Sequence, residues 1–141
     1  MQNPKATKIL LWVLAFLCLG QALYIFASRD GQPDPDRIVS VTRVGKSGAI
    51  YEVLYDAGGA TVPHVYRYFV MDFQTNDEAA LQKSKNAAPF LVTNSAGAVR
   101  KVVGHSVKLH TQNKIYEFRN TAYFKVDGQL NEVTFDLDAV F

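Results

Sequence analysis

Hydrophobic positions along this chain follow two regimes. From residue 9 to residue 27 (ILLWVLAFLCLGQALYIFA) nineteen residues pass without a charge, and Gln21 is the one amide among them. Beyond residue 37 apolar residues come in short bursts that alternate with polar ones. At about 1.5 Å per helical residue the first run spans roughly 28 Å, close to the roughly 30 Å hydrocarbon layer of a bilayer. It predicts a transmembrane signal-anchor helix over 9–27. The alternating bursts predict strands.

Residues 38–44 (IVSVTRV) and 50–55 (IYEVLY), separated by the turn signal Lys46-Ser47-Gly48, predict a hairpin. Residues 65–73 predict a third strand, with Val65, Arg67, Phe69, Met71 and Phe73 on one face and Tyr66, Tyr68, Val70 and Asp72 on the other. Thr75-Asn76-Asp77-Glu78 reads as a capping box, Thr75 accepting from the Glu78 amide, and opens a short helix that ends near Asn86 ahead of Pro89. Ala79, Ala80 and Leu81 are its only apolar contacts, so it is expected to lie on the surface. Strands over 90–93, 99–109 with a bulge at Gly104, 114–118, and 122–126 turned through Asp127-Gly128 into 130–137 complete the chain. The expected fold class is mainly β (α+β): an N-terminal transmembrane helix, then a small antiparallel β domain with one short helix. A sandwich, a half barrel and a curved sheet cradling the helix all satisfy this spacing.

Charge sets the organisation. Residues 1–8 carry Lys5 and Lys8, a positive flank of the kind retained in the cytoplasm, which puts the domain at 37–141 across the membrane. Residues 28–36 (SRDGQPDPD) form a wet linker broken by Gly31, Pro33 and Pro35. A cleaved signal peptide is the competing reading, with residues 9–17 as its apolar region and Cys18 and Gly20 as small residues before a cut. Against it, the apolar run continues through Leu23, Tyr24, Ile25 and Phe26, and Leu17 occupies the place where lipid attachment at Cys18 needs a small residue.

All 13 acids lie beyond Ser28, and Lys5 and Lys8 alone among the 15 Lys and Arg do not, so the domain is formally neutral and the overall +2 belongs to the first residues. A neutral domain has no electrostatic footprint for nucleic acid, which is excluded as a partner. Cys18, the single cysteine, lies in the apolar run. The domain therefore has neither a disulfide nor a thiol nucleophile.

Candidate chemistry is sparse. His105 and His110, five apart, would point to opposite faces of one strand and cannot share an ion; His64 is distant in sequence. Asp136 and Asp138 share a face but lack a third ligand and fit a solvated edge of the last strand. Ser47, Ser84, Ser95 and Ser106 sit in no nucleophile elbow. No catalytic, cofactor or metal motif is found, and the chain is expected not to be an enzyme. The loop from Asp56 to His64 holds Asp56, Gly58, Gly59, Thr61 and His64 in a turn that a partner could contact. Of the basic stretch Arg100, Lys101, His105, Lys108, His110, Lys114 and Arg119, the residues Arg100, Lys101 and Lys108 are the candidates for steering an acidic protein.

The segment Lys46-Ser47-Gly48-Ala49-Ile50-Tyr51-Glu52-Val53, followed by Gly59-Ala60-Thr61, resembles a pattern of small membrane-anchored or lipid-anchored bacterial envelope proteins of unknown function. That pattern is Ser-Pro-Asp-Gly-x-Tyr-x-Ala and then Gly-Ala-Thr; its Pro-Asp pair is absent here. The resemblance implies a single-pass protein of the bacterial inner membrane with a periplasmic domain, and no activity. Two functional readings follow. One is a non-enzymatic protein-binding module, such as an envelope-complex subunit or a toxin-neutralising immunity protein. The other is a small-ligand binder or enzyme with a pocket lined by Tyr51, Tyr55, Tyr66 and Tyr68.

Overall fold

In the computed structural model, which describes residues 4–27, 33–56, 58, 59 and 61–140, the apolar run and the residues before it form one helix, α1 (Pro4–Ala27). It begins ahead of the apolar run, so Lys5 and Lys8 are helical rather than part of a separate tail. No polar face interrupts it, as expected of a helix whose surroundings are apolar on every side. It is long and apolar enough to cross a membrane, a property that an N-terminal signal sequence shares. Residues 28–32 of the expected linker lie outside the described residues. A second unit starts at Pro33, because Asp36 N–H donates to the Leu54 carbonyl (2.9 Å) and Asp34 pairs with Lys85 (3.0 Å).

That unit is mainly β with one short helix, as its pattern predicts. Nine strands follow: β1 (Arg37–Val44), β2 (Gly48–Tyr55), β3 (Val65–Asp72), β4 (Leu91–Thr93), β5 (Val99–Val103), β6 (Ser106–Thr111), β7 (Ile115–Phe118), β8 (Thr121–Val126) and β9 (Gln129–Ala139). They form a five-stranded sheet, β1-β2-β3-β4-β7, and a four-stranded sheet, β5-β6-β9-β8. Every pairing is antiparallel except β6 with β9, which run parallel. The two sheets share one apolar core, with Ile50, Tyr68, Val70, Phe90 and Leu91 meeting Val107, Leu109, Phe124, Val133 and Phe135. The architecture is therefore a sandwich.

The alternation predicted for β3 holds, with Tyr68 and Val70 facing the other sheet and Phe69 and Met71 facing outward. A helix, α2 (Asp77–Ser84), covers that outward face. Ala80 is buried there and Leu81 packs beside Tyr51, Val53 and Phe69, so the helix forms a third layer rather than resting on the surface. This explains why β2 is buried along its whole length. The helix is capped by Asn76, whose Oδ1 accepts from Glu78 N–H (2.8 Å), and not by Thr75. Thr75 stands one residue too early, and a short amide side chain reaches the second helical N–H from Asn76.

Two turns test the glycine readings. Asp127 and Gly128 both have positive φ (49° and 77°) and join β8 to β9 in the two-residue turn that Asp-Gly favours. Gly104, expected as a bulge in one long strand, instead turns β5 into β6 with φ 61°, and Val103 pairs with Ser106 across it. A left-handed glycine serves a bulge and a tight turn equally well; cross-strand pairing decides between them. The real bulge lies at Arg100, and it allows Val99 and Val102, three apart, both to reach the core. Gly48 packs so closely under the Phe124 ring that a Cβ would collide with it, which ties the β1–β2 hairpin to the opposite sheet.

Candidate functional site

One sheet face carries no covering layer. The inner faces of both sheets form the core, α2 and its flanks cover the outer face of the five-stranded sheet, and the outer face of the four-stranded sheet is exposed. The register arranges its side chains in rows. Lys101 stands opposite Lys108, and on the other side of β6 the parallel pairing sets Lys108 beside Asp136 and His110 beside Asp138. Like charges directly opposite one another are unfavourable. Among the described residues no ion pair involves Arg100, Lys101 or Lys108. The three basic residues singled out in the sequence thus share one exposed face with uncompensated charge. Val103, Tyr123 and Leu130 add exposed apolar surface to the same sheet.

The remaining basic residues go elsewhere. His105 sits in the β5–β6 turn against Gly45, Arg119 pairs with Glu117 (2.8 Å), and the Lys114 ammonium lies 5.1 Å from the Tyr116 ring centre. Arg43 and Arg67 stack on Phe73 and Tyr55. His105 and His110 are on different elements, and no group of three metal-ligating side chains occurs among the described residues. Asp136 and Asp138 share an exposed face as expected, but β9 lies inside the sheet between β6 and β8 rather than at its edge.

The basic face is positioned by a polar network that sequence pattern does not show. Glu52, with 2% of its surface exposed, points between the sheets; its Oε2 accepts from Ser40 Oγ (2.8 Å) and its Oε1 from Gly97 N–H (2.9 Å). The Tyr68 hydroxyl donates to the Ser95 carbonyl (2.9 Å) and accepts from Ala98 N–H (3.1 Å). Three residues of the 95–98 connection are thereby fixed to β2 and β3 just before β5 delivers Arg100 and Lys101. The only sequence signal was a glutamate in an otherwise apolar strand.

Burial pushes the Tyr68 hydroxyl above its ordinary value of 10.0, helped by the negative charge of Glu52 and by Tyr66 and opposed by the Ala98 hydrogen bond. A raised value in the folded state means that this residue's contribution is complete below pH 10 and lost as pH rises beyond it. The unfolded chain then releases a proton that the folded chain retains. Stability is expected to fall by about 1.4 kcal/mol per pH unit from this group above about pH 10. Tyr68→Phe should remove that component, so denaturation curves at about pH 9 and pH 11 should show the wild-type advantage shrinking. An unchanged advantage would contradict the assignment.

The other candidates lie apart. Asp56, Gly58, Gly59, Thr61 and His64 occupy the exposed β2–β3 loop, at the opposite end of the five-stranded sheet from the β1–β2 turn. Asp56 Oδ1 accepts from Gly58 N–H (3.0 Å), and Gly58 and Gly59 have φ 68° and 133°, so the glycines serve the turn. Ala57 and Ala60 of this loop lie outside the described residues. No hydrogen bond or ion pair among the described residues joins the loop to Arg100, Lys101 or Lys108.

The four tyrosines do not share a pocket. Tyr51 and Tyr55 face α2, whereas Tyr66 and Tyr68 face the other sheet, because paired strands keep their alternation in register. A groove of about 810 Å³, which spacing could not reveal, runs between the β1–β2, β5–β6 and β8–β9 turns; Arg43, Lys46, His105, Asp127, Gln129 and Asn131 line it. Compared with protein-family models, curated proteins and solved structures, the chain finds no match.

Proposed function

We propose that this protein is a non-enzymatic, membrane-tethered protein-binding module of the bacterial envelope. In this reading α1 is an uncleaved single-pass anchor in the inner membrane, the β domain faces the periplasm, and the partner is an acidic protein. An envelope-complex subunit and an immunity protein that neutralises a toxin are the two roles that fit. The observation that carries the reading is the group Arg100, Lys101 and Lys108, without ion-pair partners, on the one sheet face that no layer covers. A rigid sheet presenting uncompensated cations beside exposed apolar side chains recognises an anionic surface and speeds its approach. A small-ligand role, if it exists, belongs to the groove between the three turns rather than to the tyrosines.

The test is capture from bacterial membranes with the full chain in mild detergent, comparing wild type with Lys101→Glu/Lys108→Glu. These positions are exposed, so the fold should survive the change. Binding of one dominant protein is expected to fall about tenfold or more at low salt and much less near 1 M salt, where the screening length is about 3 Å. Capture that is indifferent to both charge reversal and salt would overturn the proposal.

A further inference from the structure

Next to Arg100 the surface sinks into a cavity of about 120 Å³ lined by Ser95, Ala96, Arg100, His110, Gln112 and Asn113. It lies where the β4–β5 connection passes the turn between β6 and β7. Its polar side chains supply donors. Ser95 is 7% exposed; its N–H donates to Thr93 Oγ1 (3.1 Å) and its carbonyl accepts from Tyr68, yet its hydroxyl has no hydrogen-bond partner. A buried hydroxyl left unpaired is uncommon and marks a place for an incoming group. Arg100 brings a guanidinium with no ion pair among the described residues, a fork that matches a carboxylate in two parallel hydrogen bonds. Gln112 and Asn113 add carboxamides.

His110 forms the boundary with the neighbouring groove. Its Nδ1 meets Asp138 Oδ2 at 3.0 Å, and its Nε2 lies 3.4 Å from Gln112 Nε2. The acids Asp136 and Asp138 line that groove, which shares Arg100 and His110 with the cavity, and neither acid lines the cavity itself. Arg100 and His110 thus separate a donor-lined cavity from a carboxylate-lined groove. Pockets for whole small molecules run to about 300–1,000 Å³. A cavity of 120 Å³ takes one functional group presented by something larger.

Resting on the docking role above, we propose that this cavity is the anchor point of the interface and receives an Asp or Glu side-chain carboxylate of the acidic partner. Arg100 clamps the carboxylate, and Ser95 and the two carboxamides donate to its free lone pairs. Lys101 and Lys108 attract the surrounding acidic surface.

The test uses the full chain in detergent micelles, labelled with nitrogen-15 and titrated with acetyl-Glu-Glu-Glu-Glu-amide, its all-Gln counterpart, or inorganic phosphate. The Glu peptide is expected to shift the backbone amide signals of Ser95, Gln112 and Asn113 saturably, while the Gln peptide leaves them in place. Ser95→Ala should weaken the interaction about fivefold and Arg100→Gln about tenfold or more. Gln112→Ala, at an exposed position, checks the cavity should the buried Ser95→Ala variant fold poorly. If only the signals of Lys101 and Lys108 move, the carboxylate anchor falls and the docking face stands. If neither set moves, both proposals fall. If phosphate moves the cavity signals and the Glu peptide does not, the site belongs to a free anion and the partner side chain is excluded.

Discussion

Phe90→Ala is expected to destabilise the domain by about 3–5 kcal/mol, the range for truncating a large aromatic in a packed core. Phe90 is 1% exposed and immediately precedes β4. Its ring stacks on Phe135 with centroids 3.8 Å apart and planes 9° apart, and it leans on Tyr68 at 6.3 Å. One side chain therefore connects β3 and β4 of one sheet with β9 of the other. Its backbone cannot move to close the void, because its N–H donates to the Tyr68 carbonyl (2.9 Å) and its carbonyl accepts from Arg119 (2.7 Å). Urea denaturation of the full chain in detergent, followed by near-ultraviolet circular dichroism, measures the change. Tryptophan fluorescence does not serve, since Trp12 lies in α1. Tyr123→Ala, at an exposed tyrosine, should cost no more than about 0.5 kcal/mol. A loss below about 1 kcal/mol for Phe90→Ala would contradict its bridging role.

Glu52→Ala is expected to cost about 1.5–3 kcal/mol, the range for hydrogen bonds to a charged group. Two acceptors disappear together, so Gly97 N–H and Ser40 Oγ lose their partner. Glu52→Gln should cost less than half as much, because the amide oxygen can still accept from Gly97 while its NH₂ meets the Ser40 hydroxyl. The consequence reaches the candidate interface through the chain itself. Gly97 lies between Ser95, which lines the cavity, and Arg100, which lines both cavity and groove. Hydrogen exchange should therefore rise over residues 95–103 in Glu52→Ala and stay near wild type over β3. Equal loosening of both regions would show that Glu52 supports the whole sandwich rather than this connection.

Much of the layout was legible in local pattern. The apolar run over 9–27 fell within one helix, and the hairpin at Asp127-Gly128 followed from backbone preferences of two adjacent residues. Both depend on neighbours in sequence. The cap of α2 was misplaced by one residue because Thr75 and Asn76 both carry a capping side chain, and only the helix start chooses between them. Gly104 shows the same limit more sharply. Its preference for positive φ was readable, but Val99 to Leu109 became two strands because β5 and β6 pair with each other and β6 also pairs with β9.

The candidate site divides in the same way. Arg100, Lys101 and Lys108 were visible as basic residues in strand-forming sequence, and alternation already suggested exposure. That they meet on one face next to Asp136 depends on a bulge at Arg100 and on the parallel pairing of β6 with β9, residues far apart in the chain. Ser95 gave no signal, since its burial comes from the connection being drawn onto Tyr68 and Glu52.

By itself the sequence determined the two units, the strand-rich character of the second, its turns and the alternation of its side chains, all set by interactions within a few residues. The tertiary structure alone decided which sheet face is buried by α2 and which stays open. It also decided that four tyrosines of equal periodicity part to opposite sides, and that a serine and an arginine from separate segments line one cavity. Those outcomes depend on burying apolar area between elements distant in the chain, and no local preference encodes which distant partner supplies it.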